Sequence, residues 1–222
     1  MERYEVVDDL KVGLKAYEYG YYDIAFNYLK KQAECENVQA QFILGEMFRK
    51  GEGVDKNIPE SIRWIKKSAE HGNSQAQYKI GMLFRTGNGV QQNDFEALRW
   101  ITRSARNGHL ESQQILARMH EKGKCAPLDM NKALRWYMIC AANGGYTEGN
   151  LCSIYCTGNG VPVDVTRAFM WDHIGKLRRE NGVYASIFSI YDREITAHQI
   201  DIAKEMAMKW LNARKIDYCH HN

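Results

Sequence analysis

Two groups of residues in this 222-residue chain have types and spacings that invite chemistry. Cys152 and Cys156 stand four apart, which puts two thiols on one face of a helix, and Cys140 precedes them. Such thiols can begin a zinc site, but a structural site needs four ligands. The stretch Arg85 to Val90, Arg-Thr-Gly-Asn-Gly-Val, has the glycines of a loop that cradles phosphate. A phosphate loop, however, follows a strand and carries Gly-Lys-Ser/Thr to reach phosphate and magnesium, and that sequence is missing here. The seven histidines are scattered, and no Ser/His/Asp, Cys/His or paired-carboxylate arrangement gathers at a definable pocket. No catalytic residue is assigned, and no enzyme is expected.

The glycine turn is explained by its recurrence. It returns as Gly-Glu-Gly-Val at Gly51, Gly-Asn-Gly-Val at Gly87 and Gly158, and the degenerate Gly-Lys-Cys-Ala at Gly123, at intervals of 36, 36 and 35 residues. Thirteen residues after each first glycine stands a tryptophan: Trp64, Trp100, Trp136 and Trp171. A fixed period of this length is the mark of a repeat architecture. The glycines then serve a connection that needs positive backbone dihedrals, and they need no ligand.

Each repeat reads as two amphipathic helices. In the first, Ala76, Ile80, Gly81 and Phe84 share a face, and the small residue Gly81, matched by Gly45, Ala117 and Cys152, permits close helix approach. In the second, Ala97, Trp100, Ile101, Ser104 and Ala105 follow helical spacing. Asn57, Asn93, Asp129 and Asp164 are placed to cap the second helices. Glu60 and Glu96, three residues on, are expected to complete reciprocal capping boxes. Gly72, Gly108 and Gly144 fall where a helix end favours a left-handed residue.

Packing also accounts for the thiols. Cys152 takes the small-residue position of Gly45 and Gly81, and Cys140 that of Ser68 and Ser104. Cys156 alone falls outside the packing pattern, and Cys219, His220 and His221 at the chain end offer only a weak ligand set. No metal and no cofactor is expected. The tryptophans beside Arg63, Arg99 and Arg135 resemble stacking platforms for bases, but their second-helix positions make them core residues first, with the arginines on an outer, solvated face. His71 and His109 lie at hairpin ends, where a solvated histidine is expected.

Composition agrees with a globular protein: 45% hydrophobic, 26% charged, three prolines and a formal charge of +3. So small a charge, with acidic and basic residues interspersed, argues against nucleic acid and against a membrane surface. The acidic start lacks the basic and apolar segments of a signal peptide, so a cytoplasmic protein with free thiols is expected.

The segments Ala40 to Asn73 and Ala76 to His109 carry, in order, Ala, Leu/Ile-Gly, Phe, Gly-x-Gly-Val, Ser/Ala-x-x-Trp and Ser-Ala-x-x-Gly. In this they resemble the SEL-one-like repeat (SLR) family, relatives of the tetratricopeptide repeats. The resemblance implies an all-α fold: a right-handed α-α superhelix, or solenoid, of about five helical hairpins with a C-terminal capping helix. Residues 1–37 are expected to form an N-terminal hairpin, followed by four repeats at 38–73, 74–109, 110–145 and 146–182. Residues 183–222 are expected to hold capping helices and a tail, the whole making one continuous unit. In the cap, Thr196 and Gln199 form a capping-box pair, and Ile200, Ala203, Ala207, Trp210 and Leu211 are placed to cover the last repeat. The fourth turn, with Cys125 and Ala126 in place of Gly and Val, is expected to differ in shape, and the fifth unit loses Ser-Ala-x-x-Gly after Trp171.

The resemblance also implies ligand binding in a concave groove lined by the first helices. Carried over position by position, the groove holds Gln39, Phe42, Glu46 and Arg49, then Gln75, Tyr78, Met82 and Arg85. Glu111, Gln114, Arg118 and Glu121 follow, then Tyr146, Ser153 and Cys156. The expected partner-binding residues are Phe42, Glu46, Arg49, Tyr78, Met82, Arg85, Gln114 and Arg118, with Arg49 and Arg85 as a carboxylate clamp. The function so implied is that of a non-enzymatic adaptor or scaffold, often bacterial, that binds a protein or peptide partner. The alternative is an immunity or inhibitor protein that neutralises a toxin or enzyme one-to-one. Paired cysteines in each hairpin, found in some secreted relatives, do not occur here.

Overall fold

A computed structural model describes residues 9–178, 186–191 and 193–219, and these contain helices and turns and no strand. Eleven α-helices follow one another: α1 (Asp9–Glu18), α2 (Tyr22–Glu34), α3 (Val38–Lys50), α4 (Ile58–Glu70), α5 (Ser74–Thr86), α6 (Asp94–Arg106), α7 (Leu110–Lys122), α8 (Met130–Ala142), α9 (Glu148–Thr157), α10 (Val165–Leu177) and α11 (Ala197–Cys219). A short 3-10 turn, Phe188–Tyr191, stands before α11. The expected chain-end ligands His220 and His221, with the side chain of Cys219, lie outside the described residues.

The chain divides into two compact units, the first ending at Ser112 and the second beginning at Gln113. In the first, helices α1 to α6 pack in sequence order, each on the next. In the second, α9 packs on α8, α10 on α9 and α11 on α10.

Local chemistry sets the hairpins. Asn57, Asn93, Asp129 and Asp164 each accept from the amide three residues on, at 2.9–3.0 Å. The reciprocal half of the expected capping boxes is replaced by something else. The amides of Asn57, Asn93, Asp129 and Asp164 donate instead to the carbonyls of Phe48, Phe84, His120 and Tyr155 on the preceding helix. Each N-cap therefore ties its own helix to the one before it, and Glu60 and Glu96 turn outward to Arg63 and Arg99.

The turns between paired helices share one backbone shape. Gly51, Gly87, Gly123 and Gly158 take φ of 63–78°, and two residues later Gly53, Gly89 and Gly160 take 67–76°. At Cys125 the expected difference in shape does not arise: this residue adopts φ 64° as well. The repeat imposes its left-handed turn on a residue with a Cβ, which favours that region less than glycine does.

Close packing within each hairpin depends on the small first-helix residue. A Cβ placed on Gly45 would lie 2.5 Å from Ile65 Cγ1, and one on Gly81 2.8 Å from Ile101. A polar ladder runs inside the hairpins and from one to the next. The buried Gln41 donates through Nε2 to Ala33 O, and Gln77 does the same to Ala69 O. Their Oε1 atoms face His71 Nδ1 and Asn107 Nδ2, and Gln113 Oε1 accepts from Asn143. Ser68 and Ser104 add bonds to Val38 O and Ser74 O, at 2.7 and 2.6 Å. The buried glutamines and serines are thus satisfied at the period of the repeat.

The second unit is closed by α11. Ala203 and Ala207 are fully buried, and Trp210 meets Trp171 edge to face with centroids 5.2 Å apart. Thr196 and Gln199 form the expected capping box: the Gln199 amide donates to Thr196 Oγ1 and the Thr196 amide to Gln199 Oε1. Asp172 on α10 holds the 3-10 turn by accepting from the amides of Ile187 and Phe188 and from Ser186 Oγ.

Candidate functional site

In the first unit, α3 and α5 present the expected groove residues unequally. Phe42 is only 9% exposed and packs with Ile65, Ala69, Ala76, Ile80 and Trp100, so its ring is spent on the core. Glu46 sits one turn and Arg49 two turns further along α3. Arg49 holds Glu46 through Nε and Nη2, the latter at 2.8 Å, and Lys79 of α5 approaches the same carboxylate at 3.7 Å. Burial would raise the pKa of Glu46, but Arg49, Lys79 and Lys50 together keep it below the ordinary carboxylate range. The guanidinium expected to clamp a partner's carboxylate therefore already engages one from its own helix.

Beside this cluster opens a pocket of about 80 Å³. Its walls are Ile58, Ile62 and Ile65 from α4 and Leu83 from α5, with Ser61 and the turn residue Asn88, and its rim carries Glu46, Arg49 and Lys79. The side chain of Arg49 is 43% exposed and that of Lys79 37%. An apolar floor and two accessible cations thus meet in one concave place.

Further along α5, Tyr78 stacks on His109 with ring centroids 4.7 Å apart. His109 is not the solvated histidine that its place at a hairpin end suggests. Its Nδ1 accepts the Ser112 amide at 3.3 Å, doing for α7 what Asn37 and Asn73 do for α3 and α5. Burial pushes its pKa down, and Glu111, at 3.4 Å from Nε2, opposes that shift. Met82 and Arg85 are half-buried, and Gln39, Gln75 and Glu111 are exposed. Met82 stands where Glu46 stands one repeat earlier, so Arg85 has no carboxylate three residues before it, as Arg49 does.

In the second unit, Gln114 is half-buried and Arg118 exposed. Arg118 faces the Tyr137 hydroxyl, which donates to Glu121 at 2.6 Å, and burial raises the tyrosine pKa above its usual value. Tyr146 is exposed and lies against the guanidinium of Arg178, which also binds Glu148 and the carbonyls of Gly144 and Gly145. Ser153 Oγ bonds Tyr191 Oη at 2.6 Å. Cys156, expected in the groove, is instead fully buried with Cys152, and desolvation raises the pKa of both thiols. Among the described residues, no three His, Cys, Asp or Glu side chains gather to hold a metal ion.

The second-helix tryptophans are core residues at Trp64, Trp100 and Trp171. Trp136 is only half-buried, and its neighbour Tyr137 takes the fully buried place. Arg63 and Lys67 flank Trp64 at 5.0 and 4.9 Å, and Arg99 and Arg103 flank Trp100 at 5.6 and 5.1 Å. Arg63 and Arg99 are exposed on the outer face, as expected, and in addition lie over the tryptophan rings in cation–π contacts. Sequence reasoning missed Lys79, which belongs to the repeat before any groove pattern selects it, and the apolar pocket beside it. It missed the buried glutamines as well, although Gln41, Gln77 and Gln113 recur at the 36-residue period that could have revealed them.

Consecutive hairpins with a recurrent left-handed turn, a small-residue helix contact and a polar ladder define a helical-hairpin repeat protein. The Sel1 repeat model matches residues 38–73, 74–109, 110–146 and 149–171. The chain belongs to the Sel1 repeat family, and its fold is that of the SLR solenoids. A Sel1 repeat protein from Oxalobacter formigenes is similar at 28% identity over 94% of this chain and 91% of that one, with a TM-score of 0.71. The fold also resembles c5321, a protective antigen of uropathogenic Escherichia coli with an SLR fold. There identity is 19% over 92% of this chain and 60% of that one, with a TM-score of 0.56. No curated protein matches the chain significantly. Sel1 repeat proteins generally mediate protein–protein interaction, on a fold that is generally non-enzymatic. No helix among the described residues is long and apolar enough to cross a membrane.

Proposed function

We propose that this protein is a non-enzymatic adaptor that binds a protein partner through the surface of its first helices, with α3 and α5 as the main contact in the first unit. The observation that carries this reading is the pocket where Glu46, Arg49 and Lys79 border exposed aliphatic carbon of Ile58, Ile62 and Leu83. An apolar recess rimmed by charge supports recognition in two ways: burial of the recess supplies affinity, and the rim supplies selectivity. Arg85, Met82 and Tyr78 extend the same helix face. Phe42 contributes by holding α3 in place, and Gln114 and Arg118 belong to the corresponding helix of the second unit. A rigid scaffold suits the task, because side chains already ordered by neighbouring hairpins lose little entropy on binding.

The test is affinity purification from lysate of the source cell, comparing the wild type with an Arg49→Glu/Arg85→Glu variant shown by circular dichroism to be folded. A stoichiometric partner retained by the wild type and released by the variant supports the reading. The partner's identity then separates an adaptor from an inhibitor. Equal retention by both proteins would move the contact to another face.

A further inference from the structure

We infer that the pocket between α3, α4 and α5 takes one branched aliphatic side chain from an internal segment of a partner polypeptide, with an acidic residue within a turn of it. The inference rests on the interaction reading above and gives it a ligand chemistry. Size comes first. A cavity of about 150 Å³ admits benzene, so a recess of about 80 Å³ admits a group the size of an isopropyl or isobutyl side chain. The floor suits such a group: Ile58, Ile62 and Leu83 are half-buried, and Ile65 closes the bottom at 2% exposure. A polar occupant would find no bonding partner on the three isoleucines and Leu83, and an aliphatic one would remove their carbon from water.

Charge decides the rest. Two cations and one carboxylate stand at the rim, and the carboxylate is already shared between both cations. Glu46 is the more enclosed, at 12% exposure against 43% for Arg49 and 37% for Lys79. An incoming cation would meet two like charges in front of a carboxylate that is already compensated. An incoming carboxylate meets exposed N–H groups of Arg49 and Lys79 and balances the rim's excess positive charge. The exposed Asn88 at the edge supplies a neutral amide for the partner's backbone. A ligand that pairs an aliphatic group with an acidic one fits both halves of the site.

The experiment is a methyl and amide NMR titration of the full chain with acetyl-Gly-Leu-Glu-Gly-amide and its Gln and Lys counterparts. A further probe is acetyl-Gly-Gly-Leu with a free carboxylate. The expected result is that the Glu peptide shifts the methyl signals of Ile58, Ile62 and Leu83. The Gln peptide should bind about fivefold more weakly, the scale of one exposed charge contact, and the Lys peptide more weakly still. Lys79→Gln, at an accessible position, should narrow the difference between the Glu and Gln peptides while leaving the methyl signals of the second unit unchanged.

Equal affinity for the three internal peptides would overturn the inference. So would shifts confined to other residues, or no shift at the solubility limit. Tighter binding of the free-carboxylate peptide would also overturn it, by assigning the pocket to a chain terminus. If the peptides fail while a protein partner is still released by Arg49→Glu/Arg85→Glu, the interaction surface stands and only the pocket's ligand chemistry falls.

Discussion

His109 accepts the Ser112 amide through Nδ1, at the place in the repeat where Asn37 accepts from Ala40 and Asn73 from Ala76. A titratable ring thus replaces an amide that does not titrate. Burial lowers the folded-state pKa of His109 below its ordinary 6.5, so the proton prefers the unfolded chain. Its contribution to stability is then present above that ordinary value and is lost as pH falls through the folded-state value. Urea-unfolding midpoints measured from neutral pH downward should decline more steeply for the wild type than for His109→Asn, which keeps the cap and removes the titration. Parallel declines would show that this ring is not the group being titrated.

The turn at Cys125 supports an opposite substitution. Gly53, Gly89 and Gly160 hold the equivalent place at φ 67–76°, and Cys125 is held at 64°. Cys125→Gly should stabilise the fold by about 1 kcal/mol, the scale of the left-handed penalty for a residue with a Cβ. Chemical denaturation of the two proteins measures it directly. A loss of stability would mean that contacts of the cysteine side chain outweigh the backbone strain.

Gly45 tests the helix contact within a hairpin. An alanine Cβ would lie 2.5 Å from Ile65 Cγ1 and 3.1 Å from the Ser61 carbonyl. Gly45→Ala should therefore cost about 1–3 kcal/mol through overpacking. Beside Ile65→Ala, which removes the Cγ1 in the way, the same glycine-to-alanine change should cost less than it does beside the isoleucine. A double-mutant cycle with no coupling would contradict the contact.

The tryptophans should separate by burial. Trp171→Ala, at a residue 2% exposed, should cost about 3–5 kcal/mol. Trp136→Ala, at a half-buried position beside the fully buried Tyr137, should cost clearly less. Equal losses in denaturation would mean that sequence position in the repeat, rather than burial, sets the role of these rings.

Much of the fold was legible because each hairpin states its own boundaries. The capping residues Asn57, Asn93, Asp129 and Asp164 act locally, within one turn of their helices, and a local bond can be read from local spacing. The failed capping boxes at Glu60 and Glu96 show where that stops. Whether their carboxylates reach back depends on what the N-cap amide already bonds, and its partners Phe48 and Phe84 lie on the preceding helix, across the glycine turn. The site was less legible for the same reason. Phe42, Arg49 and Cys156 were placed by repeat position, but core packing takes up Phe42 and Cys156, and Glu46 engages Arg49. Lys79 joins that ion cluster across two hairpins, a relationship that no single helix pattern contains. His109 misled because its role comes from geometry, a ring nitrogen aimed at an amide, whereas its residue type suggests a solvated base.

The central claim is that the first-helix surface carries the partner. Hydrogen exchange on the purified complex, compared with the free protein, tests it most directly. Slowed exchange in α3 and α5, including the turn at Asn88, with α4 and α6 unchanged on their outer faces, is the result this account expects. Protection confined to α6, or to α8, α10 and α11 of the second unit, would contradict it.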